Sequence, residues 1–317
     1  MYSALAPLIG VLITFMSAVN SRLSGIVGNL VAALVIHVVG LAAVSAVLLA
    51  KREEGRPARG RLPVHYYLGG FVGVGTVFSS IYAFGALGAS LAVALALLGQ
   101  TLFSVAVDAT GFLGRARYPL SARRLPGIGL AIVGVAIMGA TVVGQPGVGF
   151  GGAAGNGRSS ALAMLVALAS GVLPGLTFIL NSELGRRKGI LRSTRVNYLV
   201  GLATTLVIVA AVRPPAAESA HAVVTAGPFL ALGGGLMGVA VVSAMNLIFP
   251  RMPAFSATLL LFSGQALTGV LIDVVAEGAF DVRKFVGTFV LLAGLAINGL
   301  LTRGAERGRR IAPARRG

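Results

Sequence analysis

The chain has 317 residues, of which 56% are hydrophobic and 11% are charged, and its mean hydropathy is +0.91. Because soluble proteins carry roughly 25% charged residues, this composition excludes an ordinary soluble domain and indicates a membrane protein with the lipid bilayer as its partner. The absence of cysteine excludes disulfides, thiol chemistry and cysteine-ligated zinc. The net charge of +17 comes from basic residues grouped between apolar runs, which is typical of cytoplasmic loops, so we expect no nucleic-acid partner.

Ten apolar segments follow one another along the chain, and each is close to the ~20 residues with which a helix crosses a bilayer. The first segment lacks the basic start of a secretory signal, so we expect the protein to retain it. The pattern predicts an all-α membrane protein with ten transmembrane helices. The segments cover residues 3–20, 28–50, 66–85, 90–112, 125–143, 160–180, 196–212, 228–249, 255–276 and 285–302.

The basic residues between these segments predict the orientation of the chain. If the N-terminus is cytoplasmic, every Lys and Arg lies on the cytoplasmic side except five. These five are Arg22, Arg158, Arg213, Arg283 and Lys284. Because Lys and Arg are enriched in cytoplasmic loops, we expect both termini to be cytoplasmic, including the basic tail over residues 303–317.

A polar pattern in the fourth segment occurs again in the ninth. The sequence GQTLFSVAVDATG begins at Gly99, and GQALTGVLIDVV begins at Gly264. Each copy has a glutamine, a small residue and an aspartate at steps of four, a spacing that keeps them near one helix face. These residues are Gln100, Ser104 and Asp108 in the first copy and Gln265, Gly269 and Asp273 in the second.

The duplication extends over both halves of the chain, since Gly10 and Asn20 recur as Gly171 and Asn181. Each half contains five predicted spans, an odd number, so the second half enters the membrane in the opposite direction from the first. We therefore expect two inverted five-helix repeats. The first covers residues 1–143, the second covers residues 160–302, and a glycine-rich linker over residues 144–159 joins them.

Uncharged polar residues inside the apolar segments are the candidates for substrate binding. Gln100 and Gln265 lie near the middle of their predicted spans, and Ser104 follows one turn later. Asn20 and Asn181 stand at the predicted end of the first span in each repeat. Polar groups at membrane depth often line a solute pathway. The alternative roles are structural: interhelical hydrogen bonds for the glutamines, worth roughly 1 kcal/mol each, and helix capping for the asparagines.

Asp108, Asp273 and His37 are the candidates for coupling transport to a proton or another cation. A carboxylate in the membrane costs several kcal/mol unless it is paired, protonated or hydrated, and histidine titrates near neutral pH. Both aspartates lie late in their spans, so an ion pair at a helix end is the alternative, and packing is the alternative for His37. The basic residues within reach of the aspartates are Arg115, Arg123 and Lys284.

Motifs for catalysis and for cofactor binding are missing from the sequence. The chain has three histidines and contains neither an HExxH zinc motif nor a GxxxxGK phosphate-binding motif. We therefore expect no catalytic residue, no metal site and no cofactor, and we do not expect an enzyme.

Several of these features resemble the YdcZ-type family of the drug/metabolite transporter superfamily. They are Asn20 to Leu23 in the first span, Gly99 and Gln100 followed by Asp108, and the RRLPG of Arg123 to Gly127. Members of this family often consist of one five-helix unit, and the chain resembles two such units fused. The resemblance implies a secondary transporter of the bacterial cytoplasmic membrane that moves a small molecule, a drug or a metabolite, by alternating access between its repeats.

Two other functions remain open from the sequence. An EamA-type metabolite exporter has the same architecture, and an integral membrane assembly factor or lipid-handling protein would not transport at all. A polar cavity that reaches the middle of the membrane favours transport, whereas a solid bundle packed on glycines favours a structural role. The sequence leaves open the substrate, the direction of transport, the coupling ion and whether the protein forms a homodimer.

Overall fold

The computed structural model describes residues 2–51, 62–112, 125–139, 157–248, 254–277 and 281–311. The regular structure of these residues is entirely helical, which confirms the all-α prediction. Residues 144–156 of the glycine-rich linker lie outside the described part. The helices are α1 (Tyr2–Val27), α2 (Asn29–Lys51), α3 (Gly69–Leu87, after a 3-10 turn at Val64–Leu68), α4 (Ala89–Thr110), α5 (Leu125–Gly139), α6 (Gly157–Ser170), α7 (Val172–Lys188), α8 (Ile190–Val212), α9 (Ala216–Ile248), α10 (Ala254–Glu277) and α11 (Val282–Ile311).

Much of this helical surface is suited to lipid. Leu49 and Val224, for example, are 80% and 79% exposed. Exposed apolar side chains in such number are surrounded by lipid chains rather than by water. Two shorter apolar helices are Leu125–Met138 and Leu260–Val275. Seven described segments are long and apolar enough to cross a membrane: Leu5–Val27, Asn29–Lys51, Val64–Leu87, Ala89–Val107, Ala161–Lys188, Ile190–Val212 and Ser219–Ile248.

The helices that contain the two repeated asparagines extend beyond their predicted ends. Both α1 and α7 end at a glycine with positive φ, Gly28 at 80° and Gly189 at 99°. Asn20 and Asn181 therefore lie inside helices, and the prediction that they end the first spans is wrong. These helices end instead where glycine permits a left-handed backbone conformation.

The predicted sixth span is broken into α6 and α7 at Gly171. Pro174 has no N–H, so the carbonyl group of Ser170 loses its usual helical hydrogen bond. A side chain at Gly171 would collide with the carbonyl oxygen of Ala96 and the backbone nitrogen of Gln100 on α4. The glycine therefore lets the broken span pack directly against the backbone of α4.

Helices of the two halves pack on each other in matched pairs. Helix α1 packs on α9 and α10, and the corresponding helices α6 and α7 of the second half pack on α3 and α4. Likewise α2 packs on α9, and α8 packs on α3. Two further contacts, between α2 and α8 and between α5 and α11, join helices that occupy the same place in each half. The core of the molecule is thus built between the halves, with α4 at its centre, where 72% of the segment Ala89–Val107 is buried.

Glycines make these close contacts between helices. A side chain at Gly99 would meet the carbonyl oxygen of Leu168, and one at Gly264 would meet the carbonyl oxygen of Pro7. Close backbone approach provides van der Waals contact, which is the main attraction between helices in lipid. Other glycines that face the backbone of a neighbouring helix are Gly10, Gly70, Gly134 and Gly294.

We expect Gly99→Ala to destabilise the protein by about 1–3 kcal/mol, because the added methyl group meets a backbone atom that moves only with its whole helix. Thermal unfolding of the purified protein in detergent measures this effect. Gly25→Ala is the matched control, since a methyl group there meets no atom within 4 Å. An equal loss of stability in both variants would contradict the packing described for Gly99.

Candidate functional site

A cavity of about 170 Å³ lies between the two halves of the molecule. Helices α1 to α4 and α6 to α10 form its wall, and its apolar part includes Ile13, Val77, Phe84 and Val241. None of its described lining residues is Asp, Glu, Lys or Arg. The polar lining residues are Thr14, Ser17, Asn20, His37, Thr76, Ser80, Gln100, Ser170, Thr177, Asn197, Tyr198 and Gln265.

The two repeated glutamines line this cavity from equivalent positions. Gln100 lies on α4, where Gly171 packs against its backbone nitrogen, and Gln265 lies on α10, where Gly10 packs against its backbone nitrogen. The Thr14 hydroxyl donates a hydrogen bond of 3.2 Å to the backbone carbonyl of Gln265. Each glutamine is therefore positioned by the helix of the other half that carries the repeated glycine.

Two buried polar atoms of the cavity wall have no hydrogen-bond partner in the described part of the chain. They are Oδ1 of Asn20, a residue that is 5% exposed, and Oγ1 of Thr177, a residue that is 6% exposed. A buried polar atom without a partner costs about 1–3 kcal/mol. Oδ1 of Asn20 lies against Gly234 on α9, where an added side chain would collide with it.

Asn181 lies in a network of hydrogen bonds instead. Its Nδ2 donates to Oδ1 of Asn197 over 2.8 Å, and its backbone carbonyl accepts a 2.8 Å bond from the Ser193 hydroxyl. Nδ2 of Asn246 lies 3.4 Å from Oγ of Ser193 and 3.3 Å from Oγ1 of Thr194. With Ser243, whose hydroxyl lies 3.2 Å from that of Thr194, these residues form a polar cluster that joins α7, α8 and α9. The polar cluster comprises Asn181, Ser193, Thr194, Asn197, Ser243 and Asn246.

The first half has no equivalent of the polar cluster. Asn20 corresponds to Asn181, but apolar residues stand at the other equivalent positions. Of the cluster, Asn197 alone appears among the described lining residues, whereas Asn20 and its neighbours Ile36 and Ile81 all line the cavity. The apolar equivalents of the cluster are Ala32, Ala33, Ile36, Phe78 and Ile81. The cavity therefore extends into the Asn20 end of the molecule and is closed at the Asn181 end.

His37 lines the cavity beside the contact between α2 and α8. Its Nδ1 donates a 2.7 Å hydrogen bond to the carbonyl of Ala33, so in the neutral ring Nε2 is the free acceptor. The ring packs edge-on against Tyr198 with their centroids 6.0 Å apart. A side chain at Gly201 would collide with the His37 ring, and one at Gly40 would collide with the Tyr198 ring. Each ring therefore occupies the space beside a glycine of the other half.

Asp273 lies away from the cavity lining and holds two helices together. Its carboxylate accepts hydrogen bonds from the backbone nitrogens of Ala89 and Ser90, at 2.8 and 3.1 Å, and from the Ser90 hydroxyl. Lys284 Nζ forms an ion pair with it at 3.2 Å. The carboxylate thereby caps the N-terminus of α4, where the helix dipole favours a negative charge. The sequence predicted the Lys284 pair as one alternative and did not predict the cap.

Besides Asp273, two predicted residues lie outside the described cavity lining. Ser104 is half-buried on α4 and Asn181 belongs to the polar cluster, and neither is among the described lining residues. Asp108 lies in α4, but its side chain is outside the described part. Thr14 and Ser17 also line the cavity and were not predicted. Their signal was a polar stripe at steps of three that leads to Asn20 on the first span.

The sequence matches a family described as "Putative inner membrane exporter, YdcZ" over residues 1–137 and 162–297. These apolar helices and this match define a multi-pass transport protein of the inner membrane. The chain belongs to the YdcZ family, as its sequence features suggested.

A solved structure described as "Crystal structure of protein" has the same fold. It matches with a TM-score of 0.61 and 21% sequence identity over 96% of this chain and 99% of its own. No match to a curated protein was found.

We expect Asp273→Ala to destabilise the protein by about 3–5 kcal/mol, because it removes one partner of a buried ion pair together with the cap of α4. Thermal unfolding in detergent measures the loss. The double variant Asp273→Ala with Lys284→Met should recover part of it, since the buried ammonium group is then also removed. Unchanged stability in the single variant would contradict this structural role.

Proposed function

We propose that the protein is a secondary exporter with ten transmembrane helices in two inverted repeats, and that its substrate binds in the cavity between them. This proposal is based on the position of Gln100 and Gln265, a repeated pair of amides that lines one cavity between the halves. A cavity with polar groups at membrane depth favours transport over a structural role in a solid bundle packed on glycines. The absence of nucleotide-binding motifs is consistent with coupling to an ion gradient or with simple facilitation.

The exchange of partners between the halves supports the inverted repeat. Helix pairs α1–α10 and α6–α4 make equivalent contacts, and so do α2–α9 and α8–α3. A two-fold relation in the plane of the membrane produces such pairs, with the binding site at the interface between the repeats. Counting α6 and α7 as one broken span gives five spans in each half, over residues 1–143 and 160–302, which we propose as the two repeats.

The distribution of Lys and Arg supports cytoplasmic termini. In that orientation Asn20 lies toward the outer surface and the polar cluster lies toward the cytoplasm, because α1 runs outward and α7 runs inward. The described conformation then corresponds to a state whose cavity extends outward and is closed on the cytoplasmic side. Alternating access requires a second state in which the polar cluster separates and the helices around Asn20 close.

Among the three coupling candidates, we propose His37 rather than either aspartate. His37 lines the cavity, and its Nε2 is the ring nitrogen that can accept a proton. The carboxylate of Asp273 is already paired with Lys284 and hydrogen-bonded to the N-terminus of α4. Its repeat equivalent, Asp108, stands at the corresponding end of α4.

The test is flux from proteoliposomes that are loaded with a library of small metabolites and drugs. We expect Gln100→Ala and Gln265→Ala each to lower the rate of the transported compound about tenfold, because each removes amide hydrogen bonds in a low-dielectric cavity, worth about 1–3 kcal/mol. The folded state of each variant is checked by its thermal transition.

Thr204→Val is the control for this experiment. Thr204 is half-buried on α8, its hydroxyl bonds to the carbonyl of Val200 on its own helix, and it does not line the cavity. Its rate should equal that of the unsubstituted protein. If every compound leaves at the rate of protein-free liposomes under all imposed gradients, the protein is not an exporter of these compounds and the proposal fails.

A further inference from the structure

We propose that the cavity selects uncharged molecules that combine an amide or hydroxyl group with an apolar part. This inference rests on the proposed function, because it names the class of substrate for the same cavity. It is based on a contrast within the described residues: buried charges are paired with each other, whereas neutral polar groups line the cavity.

The described cavity wall offers a charged molecule no partner of opposite charge. All its polar lining residues are amides, hydroxyls or aromatic groups, and His37 is neutral when Nε2 is unprotonated. By contrast, the charges of Asp273 and Lys284, which are 2% and 5% exposed, are paired with each other. A charge brought into a low-dielectric site without a partner is strongly disfavoured, so a charged molecule would bind poorly in this cavity.

The same wall offers a neutral polar molecule several partners. The carboxamide of Asn20 makes no hydrogen bond within the described residues, because Ile36 stands where Asn197 receives the bond of Asn181 in the other half. The hydroxyl of Thr177 is also without a partner there. An amide or hydroxyl group of a bound molecule can bond to the carboxamides of Gln100 and Gln265, which also line the cavity, and can accept from Thr177.

The remaining wall defines the apolar part of the molecule. Ile13, Val77, Val93, Leu97 and Val241 contribute aliphatic surface to the cavity. Sites for small molecules are mostly apolar with a few polar groups that fix orientation, and this wall has that character. The aromatic rings of Phe84, Phe178 and Tyr198 could attract a cation through their faces, so a cationic probe is needed in the test.

The test uses Ser80→Cys, a single cysteine in a protein that has none, at a half-buried position of the cavity wall. Three probes with one carbon skeleton compete with its labelling by a maleimide: 3-phenylpropanamide, which is neutral, 3-phenylpropanoate, an anion, and 3-phenylpropylammonium, a cation. We expect the amide to protect the cysteine at a concentration about tenfold lower than either ion. Equal or better protection by an ion would overturn the proposal, and so would protection by none of the three.

A second variant identifies the hydrogen bond that selects the amide. Thr177→Val in the Ser80→Cys background keeps the side-chain shape but removes the hydroxyl, and should weaken protection by the amide severalfold. Thr204→Val is the matched control and should leave protection unchanged. If Thr177→Val had no effect, Thr177 would not contact the bound amide.

The outcomes for substrate class and for transport are separable. Protection is measured at equilibrium and needs no transport, whereas flux of the same amide from proteoliposomes measures transport. Protection without flux would support the neutral class and contradict the exporter function. Flux of all three probes at similar rates would support export and overturn the neutral class.

Discussion

In the interior of a membrane, each buried polar group must find its partner within the protein or in a cavity. The hydrogen bond between Asn181 and Asn197 satisfies this requirement in the second half of the chain. In the first half Ile36 replaces Asn197, so the amide of Asn20 has no such partner and borders the cavity. This substitution and the four others that replace polar-cluster residues by apolar ones distinguish the closed end of the cavity from the open end.

The glycine contacts explain how two halves of similar sequence enclose a shared cavity. Gly40 accommodates the ring of Tyr198, and Gly201 accommodates the ring of His37, so each half provides space for an aromatic side chain of the other. Elsewhere, Gly99 and Gly264 bring helix backbones into direct contact. Packing is therefore tight around the cavity, while the cavity wall itself keeps its uncharged polar side chains.

Much of this architecture could be predicted from the sequence, because hydropathy and repeated motifs can be recognised without knowing which helices are in contact. The helical class and the membrane location required no knowledge of which helices touch. The cap that Asp273 provides for α4, and the polar cluster, depend on contacts between distant segments. The four-residue spacing also did not place Ser104 correctly on the cavity side of its helix. A step of four residues turns a helix about 40° past one full rotation, so residues at this spacing drift around the helix.

Cysteine labelling can show whether the two ends of the cavity open in turn. Ser80→Cys and Met245→Cys occupy equivalent positions in the two halves, one in the cavity wall and one 1% exposed. A membrane-impermeant maleimide should label the first from outside intact cells and should not label the second from inside. Asn197→Ile, which gives the second half the residue that the first has at position 36, should raise labelling of Met245→Cys from inside about tenfold, because it removes a buried hydrogen bond. Unchanged labelling at both positions in a folded Asn197→Ile variant would contradict the account.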